Sequence, residues 1–304
     1  MARLNISVPD ELYELASKWR GRVNLSEICA RALEEELTAL DAHRIARVSE
    51  RPLSAIGRKG RELSERYGLR ETVIAEDAED RDAMSIRDAL GAAAAEFLER
   101  EIEDDSTIGV AGGRQMWSVV QHLKPRRLRS KLVAIGLRQN DPQLLHVHPN
   151  TLVTLLWLSF SPKAEAILIQ NENFQAWFSA SATETASRRT FIVGSCGRYT
   201  PASPLAGLLE PAVRDALERR DALGDFCYAF VDKRGNAIDF RGAGFIPSGQ
   251  NLFELSRRDN TFVIMVAGGN EKVDMIRYIV KNGWCNILIT DDEVASRLLG
   301  PPNK

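Results

Sequence analysis

Residues 261–290 read TFVIMVAGGNEKVDMIRYIVKNGWCNILIT, and this stretch decides the architecture. Thr261 to Val266 is an apolar run of strand length. Ala267-Gly268-Gly269 breaks it as a turn, Glu271 to Lys281 reads as a helix, and Cys285 to Thr290 reads as a last strand. The same succession recurs upstream. Glu71 to Ala75 is a strand, an acidic surface loop follows over Glu76 to Asp82, and Met84 to Glu103 is an alanine-rich helix. Thr107 to Val110 is a strand, Ala111 to Arg114 a turn, and Gln115 to Leu123 a helix. Lys131 to Leu137 is a strand, Asn150 to Phe160 an apolar helix, and Ala164 to Gln170 another strand. Arg189 to Val193 is a strand running into the turn Gly194-Ser195-Cys196-Gly197. Pro211 to Arg220 is a helix, and strands over Phe226 to Val231 and Ala237 to Phe240 flank the hairpin turn Asp232 to Gly235. Regular strand–turn–helix alternation predicts a layered α/β domain with a mainly parallel sheet. Ligands in such sheets sit outside the carboxyl ends of the strands, beside helix N-termini.

Three glycine-bearing turns stand at such positions: Ala111-Gly112-Gly113-Arg114-Gln115, Gly194-Ser195-Cys196-Gly197 and Ala267-Gly268-Gly269-Asn270. Glycine lets backbone approach an anion closely, and a following helix offers free N–H groups. Arg114 and Lys272 lie just past two of the turns. Each turn alone is also the signature of close helix packing. The three together, two with a nearby cation, predict a phosphorylated or carboxylated small molecule.

The first forty residues follow a different pattern. Arg3-Leu4-Asn5-Ile6-Ser7-Val8 alternates polar with apolar, so Leu4, Ile6 and Val8 share one strand face and Arg3, Asn5 and Ser7 the other. Pro9, Asp10 and Glu11 open a helix that Gly21 ends. Asn24-Leu25-Ser26-Glu27 is a capping-box pattern opening a second helix. A lone terminal strand needs a partner, and the same strand of a second copy, antiparallel about a two-fold axis, supplies one. The stretches RLNISVPDEL, WRGRVN and LSEICARALEEEL resemble the ribbon-helix-helix family of DNA-binding domains. That resemblance implies a dimeric β-ribbon in the major groove of double-stranded DNA. Arg3, Asn5 and Ser7 would read base edges, and the backbone after Asn24, at Leu25 and Ser26, would hold phosphate. The alternative is a dimerisation handle that never touches nucleic acid.

Composition bounds the rest. The chain has 304 residues, enough for two domains, with 44% hydrophobic and 27% charged residues. A net charge of −2 argues against indiscriminate coating of nucleic acid. Residues 1–70 carry 13 Lys+Arg against 11 Asp+Glu, and the remainder 27 against 31, an asymmetry that agrees with an N-terminal DNA contact. Cys29, Cys196, Cys227 and Cys285 are scattered without a CxxC, as in buried thiols of a reducing cytoplasm. The start MARLNISVPDE lacks a signal-peptide core, and the longest near-apolar run, Leu152 to Phe160, is too short to span a bilayer. A cytoplasmic protein with no membrane partner is expected. The expected division is a DNA-binding domain over 1–43, a linker over 44–60, and an effector domain over 61–304.

Within that last region, ELSERYGLRETVIA, LGAAAAEFLEREIEDDSTIGVAGGR, GDFCYAFVDKRGNAID and VIMVAGGNEKVDMIRYIVKNGWCNILITDDEVASRLL resemble the SorC-type sugar-binding transcriptional regulators. The resemblance implies a sensor domain similar to the sugar-phosphate isomerase and CoA-transferase fold, which binds phosphorylated sugars and assembles as dimers or tetramers. By motif position, Ala111, Gly112, Gly113, Arg114, Gly197, Asp225 and Lys272 would line the effector site. Lys272 would supply positive charge and Asp225 would accept hydrogen bonds from sugar hydroxyls. Gln115, Gly194 and Ser195 stand in the same turns. The chain departs from the family in three places. A ribbon-helix-helix stands where a helix-turn-helix is usual. Arg114-Gln115 replaces the hydroxyl residue of the phosphate loop. Residues 139–178 match poorly.

Other constellations carry less. His146-Val147-His148 places two imidazoles on one predicted strand face, but no further ligands stand at metal spacing, so neither metal nor cofactor is expected. Ser195 and Cys196 resemble activated nucleophiles, yet the chain has only four histidines, so a structural use is expected. His122 is expected on a helix surface, and Trp117, Trp157, Trp177 and Trp284 in the core or a pocket wall. The expected function is a DNA-binding regulator, a repressor by preference, that senses a small anionic metabolite and is not an enzyme. The alternatives are a ligand-independent autoregulatory DNA binder, or an isomerase- or transferase-like enzyme using Asp225 or Glu271 as its acid–base group.

Overall fold

The computed structural model describes residues 55–75, 82–137, 142–160, 163–168, 188–240 and 248–300. The chain divides into two compact units, Met1–Leu53 and Ser54–Lys304, and every described residue belongs to the second. The predicted ribbon and its readers Arg3, Asn5, Ser7, Asn24, Leu25 and Ser26 lie outside the described residues, as do Trp177 and most of the acidic loop after Ala75.

The second unit begins with α1 (Ala55–Tyr67) and β1 (Glu71–Ile74), then α2 (Ala83–Glu101), β2 (Thr107–Ala111), α3 (Arg114–His122) and β3 (Lys131–Ile135). A 3-10 helix over Pro142–Val147 leads into α4 (Pro149–Phe160), followed by β4 (Glu165–Ile167) and β5 (Thr190–Gly194). Then come β6 (Cys196–Arg198), α5 (Pro211–Arg219), β7 (Ala222–Phe226), β8 (Ala229–Asp232) and β9 (Ala237–Ile238). The unit closes with α6 (Gly249–Ser256), β10 (Thr261–Val266), α7 (Val273–Lys281), β11 (Ile287–Thr290) and α8 (Asp292–Leu299).

Seven strands form one parallel sheet in the order β1-β11-β10-β5-β2-β3-β4. Their side chains alternate between two cores, as period two requires. Ile192, Val263, Met265 and Leu288 face α1, α6, α7, α8 and a second sheet. Ile108, Val110, Phe191, Val193, Ile264, Val266, Ile287 and Ile289 face α2, α3 and α4. Both faces are covered, which explains why the strands read as continuous apolar runs. The chain winds outward from β2 to β4, then returns to place β5 on the other side of β2. The β2–β5 boundary is therefore the topological switch point, where the connections leave in opposite directions and open a crevice.

The second sheet, β6-β7-β8-β9, is antiparallel, and its far face packs against α5 through Val213, Leu217, Phe230 and Ile238. It corrects two sequence expectations. Gly194–Gly197 is not a turn before a helix: Ser195 is a one-residue corner between β5 and β6. The span from Phe226 to Val231 is not one strand, because Cys227 and Tyr228 form a two-residue hairpin loop with φ of 49° and 68°. Such loops usually carry Asn or Gly, and neither is present to signal the turn. One further expectation changes: His146-Val147-His148 lies at the end of a 3-10 helix, not on a strand. β11 is the last strand, as the sequence predicts, and α8 follows it. α1 starts at Ala55 and buries Leu63.

Caps set the helix boundaries. Asp82 Oδ1 accepts from the N–H groups of Met84 and Ser85 at 2.8 and 2.7 Å at the start of α2. Asp291 caps α8 through Val294 N–H, and its other oxygen accepts from Gly269 N–H at 2.8 Å. A Cβ on Gly268 would lie 2.2 Å from that carboxylate. The third glycine turn is thus shaped by contact with the start of α8.

Candidate functional site

A cavity of about 380 Å³ opens at the switch point. One wall is Ala111-Gly112-Gly113 at the end of β2 with Arg114 and Gln115 of α3. Gly113 adopts φ 118°, which glycine tolerates at no steric cost, and its N–H donates to Val147 O at 2.9 Å. Gly113 offers no side-chain cap, so the N–H groups of the first turn of α3 point outward without intrahelical acceptors. Gln115 is buried and donates from Nε2 to Arg87 O at 3.0 Å, which ties α3 to α2 and sets Arg87 on the cavity rim.

The opposite wall is Ser195-Cys196-Gly197 after β5, with Arg198 beyond it and Lys272 from the 3-10 turn after β10. The second sheet supplies the floor. Gly197 pairs with Asp225 across β6 and β7, and a Cβ on Gly197 would come within 3.3 Å of Asp225 Oδ1. Asp225 is buried and accepts from Tyr228 N–H at 3.0 Å. Burial raises its pKa to about 7, although that hydrogen bond pulls the other way. Burial also pushes the Cys196 thiol to about 12, with Lys272 opposing, and raises Cys227 and Cys285. All three thiols stay protonated at neutral pH and behave as small apolar groups.

Tyr228 carries the floor across to the main sheet. A Cβ on Gly136 would lie 2.7 Å from its hydroxyl, so glycine there admits the ring. His148 and Pro149 close the remaining side. His148 Nε2 lies 3.2 Å from Leu137 O, and its Nδ1 accepts from Asn150 N–H at 3.1 Å. That pair of partners selects the neutral tautomer with the proton on Nε2, and burial lowers its pKa in the same direction.

Of the ten residues expected at an effector site, nine line this cavity: Ala111, Gly112, Gly113, Arg114, Gln115, Ser195, Gly197, Asp225 and Lys272. Gly194 does not. It lies below, where a Cβ would meet Cys227 Sγ at 2.3 Å. Sequence reading missed Arg87, His148, Arg198 and Tyr228. Arg87 and Arg198 carry no local signal, since each is one charged residue on an otherwise ordinary element. His148 drew notice only as a metal candidate, and among the described residues no cluster of His, Cys, Asp or Glu fits a metal ion. Ser195 Oγ meets only the Cys196 carbonyl, at 3.4 Å, and no base stands within hydrogen-bond reach among the described residues. Trp284 is buried and Trp117 packs edge-on against His146, whereas Trp157 is exposed, not in the core or a pocket wall as expected, with its Nε1 donating to Ala164 O. His122 is the last residue of α3, and its Nε2 lies 2.8 Å from Asp88 Oδ1 of α2.

The fold and this cavity define an α/β ligand-binding domain with its site at the carboxyl edge of a parallel sheet. The family described as "Putative sugar-binding domain" matches residues 58–300, and the chain belongs to it. It is 24% identical over 276 residues to the deoxyribonucleoside regulator of Bacillus subtilis, covering 82% of this chain and 81% of that one. It is 25% identical over 261 residues to the erythritol catabolism regulatory protein EryD of Brucella abortus, covering 79% and 78%. The full-length sorbitol operon regulator SorC of Klebsiella pneumoniae has the same fold, with a TM-score of 0.62 at 21% identity over 97% of this chain and 100% of that one. No helix among the described residues is long and apolar enough to cross a membrane.

Proposed function

We propose that the protein is a transcriptional regulator whose α/β unit senses a small anionic, sugar-like metabolite in the switch-point cavity. One observation carries this reading. Arg87, Arg114, Arg198 and Lys272 line the cavity, and none forms an ion pair with another described residue. Cations grouped without carboxylate partners repel one another unless an anion joins them. The outward N–H groups of α3 suit a phosphate, and Asp225 with Ser195 suits hydroxyl groups. The names of the relatives, all regulators and two of them named for sugar alcohols, agree with this reading.

The DNA contact falls to the N-terminal unit, with domains over 1–43 and 61–304 and a linker between them. Arg3, Asn5 and Ser7 read bases from a homodimeric ribbon, Asn24, Leu25 and Ser26 hold phosphate, and ligand shifts the dimers or tetramers between states of different DNA affinity. Repression is the preferred sign. Fluorescence anisotropy on DNA from upstream of the protein's own gene tests the whole reading. Tight binding by wild type, released or strengthened by a sugar phosphate, is expected. Lys272→Ala should keep the operator affinity and lose the response. A full response from that variant would remove Lys272 from the site.

A further inference from the structure

We propose that α8 carries the state of the cavity to α1, with Asn270 and Lys59 as the positioning residues that fasten it on either side. This rests on the regulator reading above and gives that reading a route. The first unit ends at Leu53 and α1 begins at Ala55, so α1 is the first element of the second unit. A shift of α1 therefore moves the point at which the N-terminal unit is attached.

On the cavity side, the turn that carries Lys272 is tied to α8. Gly269 N–H donates to Asp291 Oδ2 at 2.8 Å, while Asp291 Oδ1 caps α8 through Val294 N–H at 2.8 Å. Asn270 reaches further along the helix. Its Nδ2 donates to Glu293, and its Oδ1 accepts from Arg297 Nη1 at 2.7 Å. On the other side, Lys59 of α1 pairs with Asp292 and donates to Ser296 Oγ at 2.9 Å. Tyr67 Oη donates to Leu298 O at 2.9 Å, and Arg66 donates to Leu299 O. These carbonyls belong to the last turn of α8, where the helix supplies no donor of its own.

Arg277 of α7 joins the same carbonyls. It is 4% exposed, and it donates to Arg297 O at 2.5 Å and Leu298 O at 3.1 Å. No carboxylate pairs with it among the described residues, and its Nε is buried without a partner. A guanidinium buried in this way is no better for stability than an apolar side chain of the same size. What it provides is register, because its Nη1 also donates to Tyr67 Oη at 3.3 Å and so sets the end of α8 against α1. Between these grips the contact is apolar and non-directional. Val294, Ala295 and Leu298 pack in one core with Leu63 of α1 and Ile276 of α7. Such a surface lets a short helix shift by about 1–2 Å, and the polar contacts choose its position. An anion that draws on Lys272 moves its turn; Gly269 and Asn270 then move α8, and Lys59, Arg66 and Tyr67 move α1.

Asn270 and Lys59 do not line the cavity, so removing either side chain spares the ligand's own contacts. The test uses the full chain and two probes, glucose 6-phosphate and ribose 5-phosphate. Anisotropy reads affinity for DNA upstream of the protein's own gene with and without saturating probe, and calorimetry reads probe affinity without DNA. In wild type the probe should change operator affinity by about 5-fold or more. Asn270→Ala and Lys59→Gln should each cut that change to less than about twofold, with operator affinity and probe affinity taken alone within about threefold of wild type. The two links act in series, so the double variant should lose no more than either single one. Arg129→Ala breaks an exposed pair with Asp104 far from α8 in the contact network and should respond as wild type does. A purely structural clamp would lower the melting temperature and leave the response intact, so a wild-type response from both single variants overturns the route. So does a probe affinity that falls as far as the response, which would make Asn270 part of the site. A wild type that binds neither probe, or binds without any change in operator affinity, overturns the regulator reading and the route with it.

Discussion

Asp225 is the residue on which the chemistry of the cavity turns. It sits on a buried strand, it accepts from Tyr228 N–H at 3.0 Å, and no cation pairs with it among the described residues. Burial therefore outweighs the hydrogen bond and lifts its pKa from 3.8 to about 7. Because the folded form holds this proton more tightly than the unfolded chain, stability falls as pH rises from about 4 to about 7, then levels off. An Asp225→Asn variant keeps an acceptor for Tyr228 and has nothing to titrate. The difference in melting temperature, variant minus wild type, should grow in the variant's favour across that window and stay flat above it. A flat difference from about pH 4 to 8 would mean that Asp225 is solvated. The neighbouring hairpin explains how the carboxylate is held. Cys227 and Tyr228 both adopt positive φ without being glycine, a conformation costing about 1 kcal/mol or more apiece, and the Asp225–Tyr228 hydrogen bond braces it.

At the scale of elements, the α2–α3 contact sets the position of the cationic pole. Gly91 of α2 meets Ser118 of α3 so closely that an added Cβ would lie 2.1 Å from Ser118 Oγ and 2.9 Å from its backbone carbon. Alanine would gain about 1 kcal/mol of helix propensity there. Overpacking against a neighbouring backbone costs about 1–3 kcal/mol and outweighs that gain. Gly91→Ala should therefore lower the stability measured by urea unfolding. It should also weaken sugar-phosphate binding, since α3 carries Arg114 and Gln115. Gly207→Ala is the control: nothing lies within 4 Å of its Cβ, so a change within about 0.5 kcal/mol is expected. On the other side of the sheet Asn286 joins three elements. Its Nδ2 donates to Ser256 O and Thr261 O at 2.8 Å each, and its Oδ1 accepts from Val263 N–H at 2.8 Å. Every polar atom of this buried amide is used, which pins α6 and β11 to β10.

For the whole molecule, the proposed regulator separates its tasks along the chain. With a net charge of −2, the proposed DNA affinity has to come from a local patch and not from a global field. Arg3→Ala should cost operator binding by about 1–3 kcal/mol if Arg3 makes a bidentate base contact. Binding to unrelated DNA should change much less, because phosphate contacts do not carry sequence. Anisotropy against both DNAs over a salt series reads the two effects separately. Equal losses on both would reassign Arg3 to the backbone. A sugar ligand, in contrast, should raise the melting temperature of wild type and of Arg3→Ala alike, since the proposed cavity belongs to the other unit.

The strands and helices of the α/β unit were legible because their signals are local. Apolar runs of strand length, helical spacing and glycine breaks recur within a few residues, and Thr261 to Val266 forms the strand read from it. The loops that carry Ala111 to Gln115 and Lys272 were legible for the same reason, as they follow strands directly. What the sequence did not disclose depends on contacts between residues far apart in the chain. Ser195 turns into a second sheet because β6 pairs with β7, near residue 225. Tyr228 reaches the cavity because position 136, far earlier in the chain, has no side chain to stop it. Arg87 joins the cationic rim through a hydrogen bond from Gln115, and nothing near Arg87 in the sequence marks it. Periodicity records which face of an element is buried. Only the packing of strands β2, β5 and β10 side by side decides which residues meet around one cavity, and how far apart its charges stand.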